Sequence, residues 1–218
     1  MKRNDLTSLV NNLPAVPGIH GKDEYFNSVV LLLLVPIGDD YHIVFQERSA
    51  GIRQGGEICL PGGRYEEEDG SLKQTAVRET SEELGIPPEK ITILGGMDTL
   101  VASMGATVDV FVGTTDLGIG DMEINAESER VFTLPVSFFE ENEPEEYAVR
   151  LEIHPSYVDR ESKQEVVLLP AAELGLPDRY TRPWGGFRQK VLVYKTREGV
   201  IWGITARILA EFVSRLKH

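Results

Sequence analysis

The chain has 218 residues, of which 41% are hydrophobic and 26% charged, a composition typical of a globular protein with a substantial core. Its formal net charge of −13 argues against a nucleic-acid-binding surface, which would normally be basic. The longest strongly apolar run, residues 29–37, is far too short to cross a bilayer, and the single cysteine, Cys59, excludes an intrachain disulfide. The first residues lack a signal-peptide core, so we expect a cytoplasmic protein without nucleic-acid or membrane partners.

The first quarter of the chain predicts a short extension followed by a β-hairpin. Residues 5–13 are predicted to form a helix and residues 12–23 a loop, which together make residues 1–26 an N-terminal extension. Two apolar runs, at residues 28–36 and 41–46, predict strands. The sequence Gly38-Asp39-Asp40 between them is a good hairpin turn.

The next predicted helix carries an acidic face and has well-defined ends. Ser71 is a candidate N-cap, and Gly85, followed by two prolines, predicts the C-terminus. At about 100° per residue, Glu82 lies about 60° to one side of Glu79 and Glu83 about 40° to the other, so all three project from one face. The neighbouring face can pack against a core and consists of Ala76, Val77, Thr80 and Leu84.

Three grouped carboxylates indicate a divalent-metal site. Hard oxygen ligands suit Mg²⁺ or Mn²⁺, which usually also bind the phosphates of a substrate. Arg78, four residues before Glu82, can pair with that carboxylate or hold the preceding loop. Gly62 and Gly63 lack side chains that would block the approach of their backbone to metal or phosphate. The alternative is a solvated acidic face with ordinary ion pairs.

The remainder of the chain predicts further strands and two helices. Strands are expected at residues 91–94, 106–113, 130–134, 147–153, 165–169 and 189–195, and a short helix at 137–141. A closing helix is expected at 200–216, because apolar residues recur there at helical spacing. Trp202, within that helix, is expected to pack against the core. Cys59, in a short apolar run, is expected to be a small buried residue rather than a nucleophile.

Residues 60–86 resemble the Nudix box, the signature of hydrolases that act on nucleoside diphosphates linked to another group. The matching residues are Gly63, Arg78, Glu79, Glu82, Glu83, Gly85 and Ile86, whereas Asp69 replaces a glutamate with one extra residue before Arg78 and Thr80 replaces an aliphatic residue. The resemblance implies an α/β (α+β) fold, the Nudix-type α/β/α sandwich with a mixed β-sheet, formed by residues 27–218 as a single domain. It also implies that Glu79, Glu82 and Glu83 are both metal ligands and catalytic residues, with Arg78 organising them and a backbone carbonyl of Gly62 or Gly63 assisting.

The extra residue before Arg78 is also typical of the coenzyme A pyrophosphatase branch of that family. Residues 45–49, 52–57, 125–135 and 201–206 resemble other segments of the branch, but the histidine of its upstream segment is absent here. By this resemblance, and because arginine offers a bidentate fork for phosphate, Arg48, Ser49 and Arg53 are candidate substrate-binding residues, together with Gly62 and Gly63.

The expected reaction is Mg²⁺- or Mn²⁺-dependent hydrolysis of a pyrophosphate bond, with coenzyme A or an acyl-CoA as the leading substrate. The missing histidine keeps ADP-ribose, NADH and dinucleoside polyphosphates as alternatives, and a non-catalytic nucleotide-binding regulator is the alternative of another class. Dimers are frequent in the family, so a homodimer is possible. The general base is left open among a set of acidic residues and one histidine: Glu123, Glu127, Glu129, Glu140, Glu141, His154 and a glutamate of the box.

Overall fold

The computed structural model describes residues 11, 13–14, 18–52, 54–103 and 105–217. Most of the helix predicted at residues 5–13, and also Arg53, lies outside this range. The strands of the described residues are β1 (Phe26–Ile37), β2 (Asp40–Arg48), β3 (Ile58–Cys59), β4 (Gly62–Arg64), β5 (Thr92–Gly96), β6 (Leu100–Ala102), β7 (Ala106–Thr114), β8 (Ser128–Pro135), β9 (Glu145–Ile153), β10 (Ser156–Val158), β11 (Glu165–Val167), β12 (Trp184–Thr196) and β13 (Gly199–Trp202). The helices are α1 (Leu72–Leu84), α2 (Val136–Glu141) and α3 (Gly203–Leu216), none of which is long and apolar enough to cross a membrane.

The chain divides into two compact units. The first contains Met1–Gly56 and Leu60–Pro135, and the second contains Glu57–Cys59 and Val136–His218. The single domain expected for residues 27–218 therefore stays a prediction.

The first unit is built on a mixed sheet, as the sequence predicts. β1 and β2 form the expected antiparallel hairpin, whereas β1 and β7 run parallel, with α1 in the connection between them. β8 pairs with β2, β4 with β1, and β5 and β6 with β7, all antiparallel. The central strand β1 is buried from Leu31 to Val35 without a break, which explains its continuous apolar sequence.

Helix α1 packs its predicted apolar face on this sheet. Ala76 and Leu84 join Val29, Leu31 and other buried residues in one hydrophobic cluster. The helix begins after Ser71, whose side chain accepts a hydrogen bond from the Gln74 N–H, and ends at Gly85 with φ 65°, a conformation that favours glycine. Both predicted helix ends are confirmed, so the direction of the acidic face is fixed by local sequence and by burial of the neighbouring face.

The second unit contains an antiparallel sheet in the order β13-β12-β9, and α3 contacts β12 and β13. The closing helix was predicted to begin at residue 200, which is wrong: residues 199–202 form β13, in a hairpin with β12, and the helix begins at Gly203. Burial consequently alternates along β13. Ile201 is fully buried while Trp202 is about half exposed, so the expected packing of Trp202 in the core is also wrong.

Candidate active site

Asp69 and Arg78 anchor the loop before α1 to the helix. Arg78 Nε donates to Asp69 Oδ1 at 2.6 Å, and Arg78 Nη2 donates to Asp69 Oδ2 at 3.0 Å. The buried Asp69 carboxylate also accepts from the Thr75 hydroxyl at 2.8 Å and from the Glu66 N–H at 3.1 Å. The Arg78 guanidinium holds the pKa of Asp69 well below its usual range against the opposing effect of burial.

Arg78 also contacts two carboxylates of the acidic face. Its Nη1 lies 3.0 Å from Glu79 Oε1 and 3.3 Å from Glu82 Oε2, and its Nη2 donates to the Arg64 carbonyl at 3.1 Å. The predicted pairing of Arg78 with Glu82 and its predicted hold on the loop are therefore both confirmed. Every branch of the Arg78 guanidinium is thus engaged by the protein itself.

Glu83 is the most enclosed of the three glutamates, with only 4% of its surface exposed. Its Oε2 accepts two hydrogen bonds of 2.8 Å, one from the Gly62 N–H and one from Gln46 Nε2. The Ser128 hydroxyl donates to Gln46 Oε1 at 2.8 Å, which fixes the orientation of the Gln46 amide. A buried polar chain thus runs from β8 through β2 to α1 and holds Glu83 against the Gly62-Gly63 turn.

Burial changes the acid–base properties of two glutamates. It raises the pKa of Glu83 to about 7, because the hydrogen bonds from Gly62 and Gln46 offset only part of the desolvation. It also raises the pKa of Glu79, where Arg78 opposes the shift and the charges of Glu82 and Glu66 add to it. The site therefore holds more negative charge than its own cations neutralise, which is the electrostatic condition for binding a cation.

The structure adds a second reason for the two glycines of the turn. A Cβ at Gly62 would lie 2.2 Å from the Val29 carbonyl oxygen of β1, and a Cβ at Gly63 would lie 2.4 Å from the carboxylate of Glu79. These are contacts with the protein's own atoms, and the access for metal or phosphate that the sequence suggests stays a prediction. The glycines let the turn approach both the central strand and the acidic helix.

The other predicted substrate residues and the candidate general bases lie in different surroundings. Arg48, at the end of β2, is close enough to Glu83 for its charge to lower the pKa of that carboxyl. Ser49 donates its hydroxyl to the Ala126 carbonyl at 2.9 Å, so only its oxygen lone pairs remain for a ligand. Among the candidate bases in the first unit, Glu127 is exposed and its carbonyl accepts from the Ser49 N–H at 2.8 Å, whereas Glu140, Glu141 and His154 belong to the second unit.

The carboxylate oxygens of the three glutamates suit a hard divalent cation, although the three side chains do not all point to one position. Glu79 and Glu83 both contact the Gly62-Gly63 turn, and Glu82, whose side chain is 57% exposed, points to Arg78. In the part of the chain described, no three His, Cys, Asp or Glu side chains converge closely enough to form a metal-binding group. Glu79 and Glu83, which both lie against this turn, are the residues that would hold a cation.

Sequence reasoning missed three contributors to this site. Gln46 and Ser128 orient Glu83, and Glu66 adds negative charge near Glu79. One sequence feature could have drawn attention to Gln46: it is a polar residue directly after the apolar run Ile43-Val44-Phe45 of a strand. No local sequence feature identifies Ser128, since its partner Gln46 lies 82 residues away in sequence.

A mixed sheet with a capped acidic helix packed on it, and a Gly-Gly turn against the helix glutamates, defines a Nudix-type hydrolase scaffold. The family profile of the NUDIX domain matches residues 27–145, which is more than half of the chain. The chain belongs to the Nudix family and is a hydrolase of that family, and the predicted α/β fold class is confirmed.

Curated relatives carry the same family name. The chain is 26% identical over 176 residues to the Nudix hydrolase NudL of Photorhabdus laumondii, a match that covers 80% of this chain and 77% of that protein. It is 31% identical over 111 residues to the peroxisomal coenzyme A diphosphatase of Mus musculus, covering 50% of this chain and 47% of that one, so less than half of the mouse protein is matched. The crystal structure of the Nudix hydrolase RenU from M. smegmatis aligns with a TM-score of 0.44 and 22% identity, covering 52% of this chain and 72% of that one.

Proposed function

We propose that this protein hydrolyses the pyrophosphate bond of coenzyme A or an acyl-CoA, giving 3′,5′-ADP and 4′-phosphopantetheine or its acyl derivative, with Mg²⁺ or Mn²⁺ as cofactor. The observation that carries the chemistry is the buried Glu83 carboxylate, which the Gly62 N–H and Gln46 fix beside Glu79 and the Gly62-Gly63 turn. The buried Glu83 and the half-buried Glu79, both with raised pKa values, favour binding a cation together with a polyphosphate.

Each residue of the site has a distinct role in this proposal. Glu79 and Glu83 hold the cation, with Glu82 and a carbonyl of the Gly62-Gly63 turn as further ligands. When bound, the cation supplies charge neutralisation on the phosphate oxygens and lowers the pKa of its water. Arg78 keeps the loop and the acidic face in register through Asp69, and Gln46 keeps the Glu83 carboxylate directed at the turn.

The coenzyme A assignment rests on likeness at the level of sequence. The mouse relative is named as a coenzyme A diphosphatase, and its match with this chain is 31% identical over 111 residues. Arg48 supports a phosphate-rich substrate, because its charge lies near Glu83 at the edge of the site. Ser49, Arg53, Gly62 and Gly63 complete the proposed substrate contacts.

The remaining roles are also proposals. Glu127 is the preferred general base outside the box, because it lies on the segment that the Ser49 N–H holds beside the end of β2. We also propose a cytoplasmic location.

Mass analysis of products separates the candidate substrates. The purified protein is incubated with Mg²⁺ or Mn²⁺ and, in separate reactions, coenzyme A, acetyl-CoA, ADP-ribose, NADH and diadenosine polyphosphates. The proposal expects metal-dependent 3′,5′-ADP and phosphopantetheine from coenzyme A at the highest kcat/KM. Selective cleavage of another substrate would overturn the coenzyme A assignment.

Two variants test the role of the site in the same assay. Glu79→Gln removes a proposed cation ligand without changing its size, and Glu68→Gln makes the same change at an exposed position of the preceding loop. We expect at least a hundredfold loss of kcat for Glu79→Gln and wild-type rates for Glu68→Gln. Equal rates for both variants, or binding of a nucleotide without any cleavage, would contradict catalysis at this site and favour a nucleotide-binding regulator.

A further inference from the structure

Strand β9 presents a long, exposed sheet edge in the second unit. Among the described strands, β9 pairs with β12 alone, and eight of its nine residues are exposed, with Leu151 half-buried. Its side chains alternate between an apolar face, formed by Tyr147, Val149, Leu151 and Ile153, and a polar face that carries Glu146, Arg150 and Glu152. About half of the surface of Tyr147, Val149 and Ile153 is exposed. A nine-residue edge strand of this kind is a template for pairing with another strand.

We propose that β9 pairs antiparallel with β9 of a second copy of this chain, about a two-fold axis at Ala148. The three-stranded sheets of the two copies would then form one continuous sheet of six strands. The interface is isologous, because the same edge is used by both copies. It brings the apolar side chains of β9 from both copies side by side on one face of the joined sheet.

The charges of β9, together with the length of the paired segment, select this register. With the axis at Ala148, Glu146 lies opposite Arg150 of the second copy, and Arg150 lies opposite its Glu146, so two opposite-charge pairs form by symmetry. With the axis at Val149, Glu146 would face Glu152, and with the axis at Arg150 two arginines would face each other, both of which are unfavourable. With the axis at Tyr147, neither Glu146 nor Arg150 faces an opposite charge. With the axis at Leu151, Arg150 faces Glu152, but only five residues of β9 pair, against seven with the axis at Ala148.

The ion pairs within one copy do not compete strongly with this arrangement. Glu146 lies 2.6 Å from Lys190 Nζ and Arg150 lies 2.6 Å from Glu152, but the Glu146, Lys190 and Arg150 side chains are more than half exposed. Exposed pairs of this kind contribute little and can be shared with a new partner. Stable interfaces bury about 1,200–2,000 Å². Pairing through one strand edge is a small contact by comparison, so we expect a dimer that dissociates on dilution.

Charge exchange across the symmetry axis provides the test. Arg150→Glu places glutamates at both positions, and Glu146→Arg places arginines at both, so each variant alone brings like charges together. By sedimentation equilibrium over a concentration series, we expect the dimer Kd of each variant to rise roughly ten- to hundredfold. An equimolar mixture of the two should regain dimers, because every facing pair is then Glu opposite Arg.

Matched reversals elsewhere in the same unit serve as controls. Arg160→Glu and Glu173→Arg make the same changes at exposed positions outside β9 and should dimerise as the wild type does. Circular dichroism checks that all variants are folded. A wild type that stays monomeric at every concentration would overturn the proposal, as would β9 variants that dimerise like the controls or a mixture that stays monomeric.

Discussion

Replacing Glu83 by glutamine tests whether the central carboxylate is held in an environment that opposes its charge. Glutamine has the same shape, and its Oε1 can accept the hydrogen bonds that the Gly62 N–H and Gln46 now donate to Glu83. The substitution therefore removes the charge and leaves the packing in place. In the metal-free protein at about pH 8 we expect the variant to be more stable than the wild type.

The size of the effect follows from the pKa of Glu83. Burial raises it from 4.5 to about 7, so the folded state binds this proton more tightly than the unfolded chain does. The carboxyl opposes folding least below pH 4.5, and its ionisation costs progressively more as the pH rises through 7. At about 1.4 kcal/mol per pKa unit the limit is about 3 kcal/mol, and relaxation of the site reduces it to about 1–3 kcal/mol.

Urea unfolding in the presence of a chelator measures this difference. The free energy of unfolding of Glu83→Gln should exceed that of the wild type at about pH 8, and the gap should close towards pH 4.5. Added Mg²⁺ should stabilise the wild type more than the variant, because the carboxylate is then paired with a cation. Gln46→Leu, which removes a hydrogen bond to the ionised carboxylate, should widen the pH dependence. A gap that is equal at both pH values would refute the reasoning.

Three further substitutions have expected outcomes. Asp69→Asn removes the charged partner of Arg78 and should lower stability by about 1–3 kcal/mol in urea unfolding, with a loss of kcat that Asp69→Glu does not restore, because the longer side chain cannot keep both hydrogen bonds. Gly63→Ala places a Cβ 2.4 Å from the Glu79 carboxylate, so the affinity for Mg²⁺ in calorimetric titration should fall at least tenfold while the circular dichroism spectrum is retained. Thr80→Val should raise the free energy of unfolding by about 1 kcal/mol, because the fully buried Thr80 hydroxyl has no hydrogen-bond partner in the described structure; a destabilised variant would contradict this.

Local features of the sequence were sufficient to predict the ends and the acidic face of helix α1. Ser71 and Gly85 set its ends, and the spacing of the glutamates set their common direction, because each feature depends only on neighbours within one or two turns. The β1–β2 hairpin was predictable for the same reason. The different burial of the glutamates was not predictable from the sequence. Glu82 is exposed and Glu83 is buried only because the fold places different residues beside them.

The errors arose where distant segments decide the outcome. Residues 200–202 have apolar residues at a spacing compatible with a helix, but pairing with β12 makes them a strand and turns Trp202 outward. The short strands β3 and β4 carry too few residues for any periodic signal. Gln46 and Ser128 are ordinary strand residues until the fold brings Glu83 to them.

The placement of β3 in the second unit has a consequence for shortening the gene. The family match ends at residue 145, which suggests a convenient place to stop. Yet Ile58 of β3, four residues before Gly62, is buried, and a Cβ at Gly199 would lie only 2.8 Å from its Cδ1. A chain ending at residue 145 would lose Gly199 and the rest of β13, and would leave the Ile58 side chain without this neighbour. A shortened gene would therefore cut the second unit apart, because β3 comes from a part of the sequence that the shortened chain still contains.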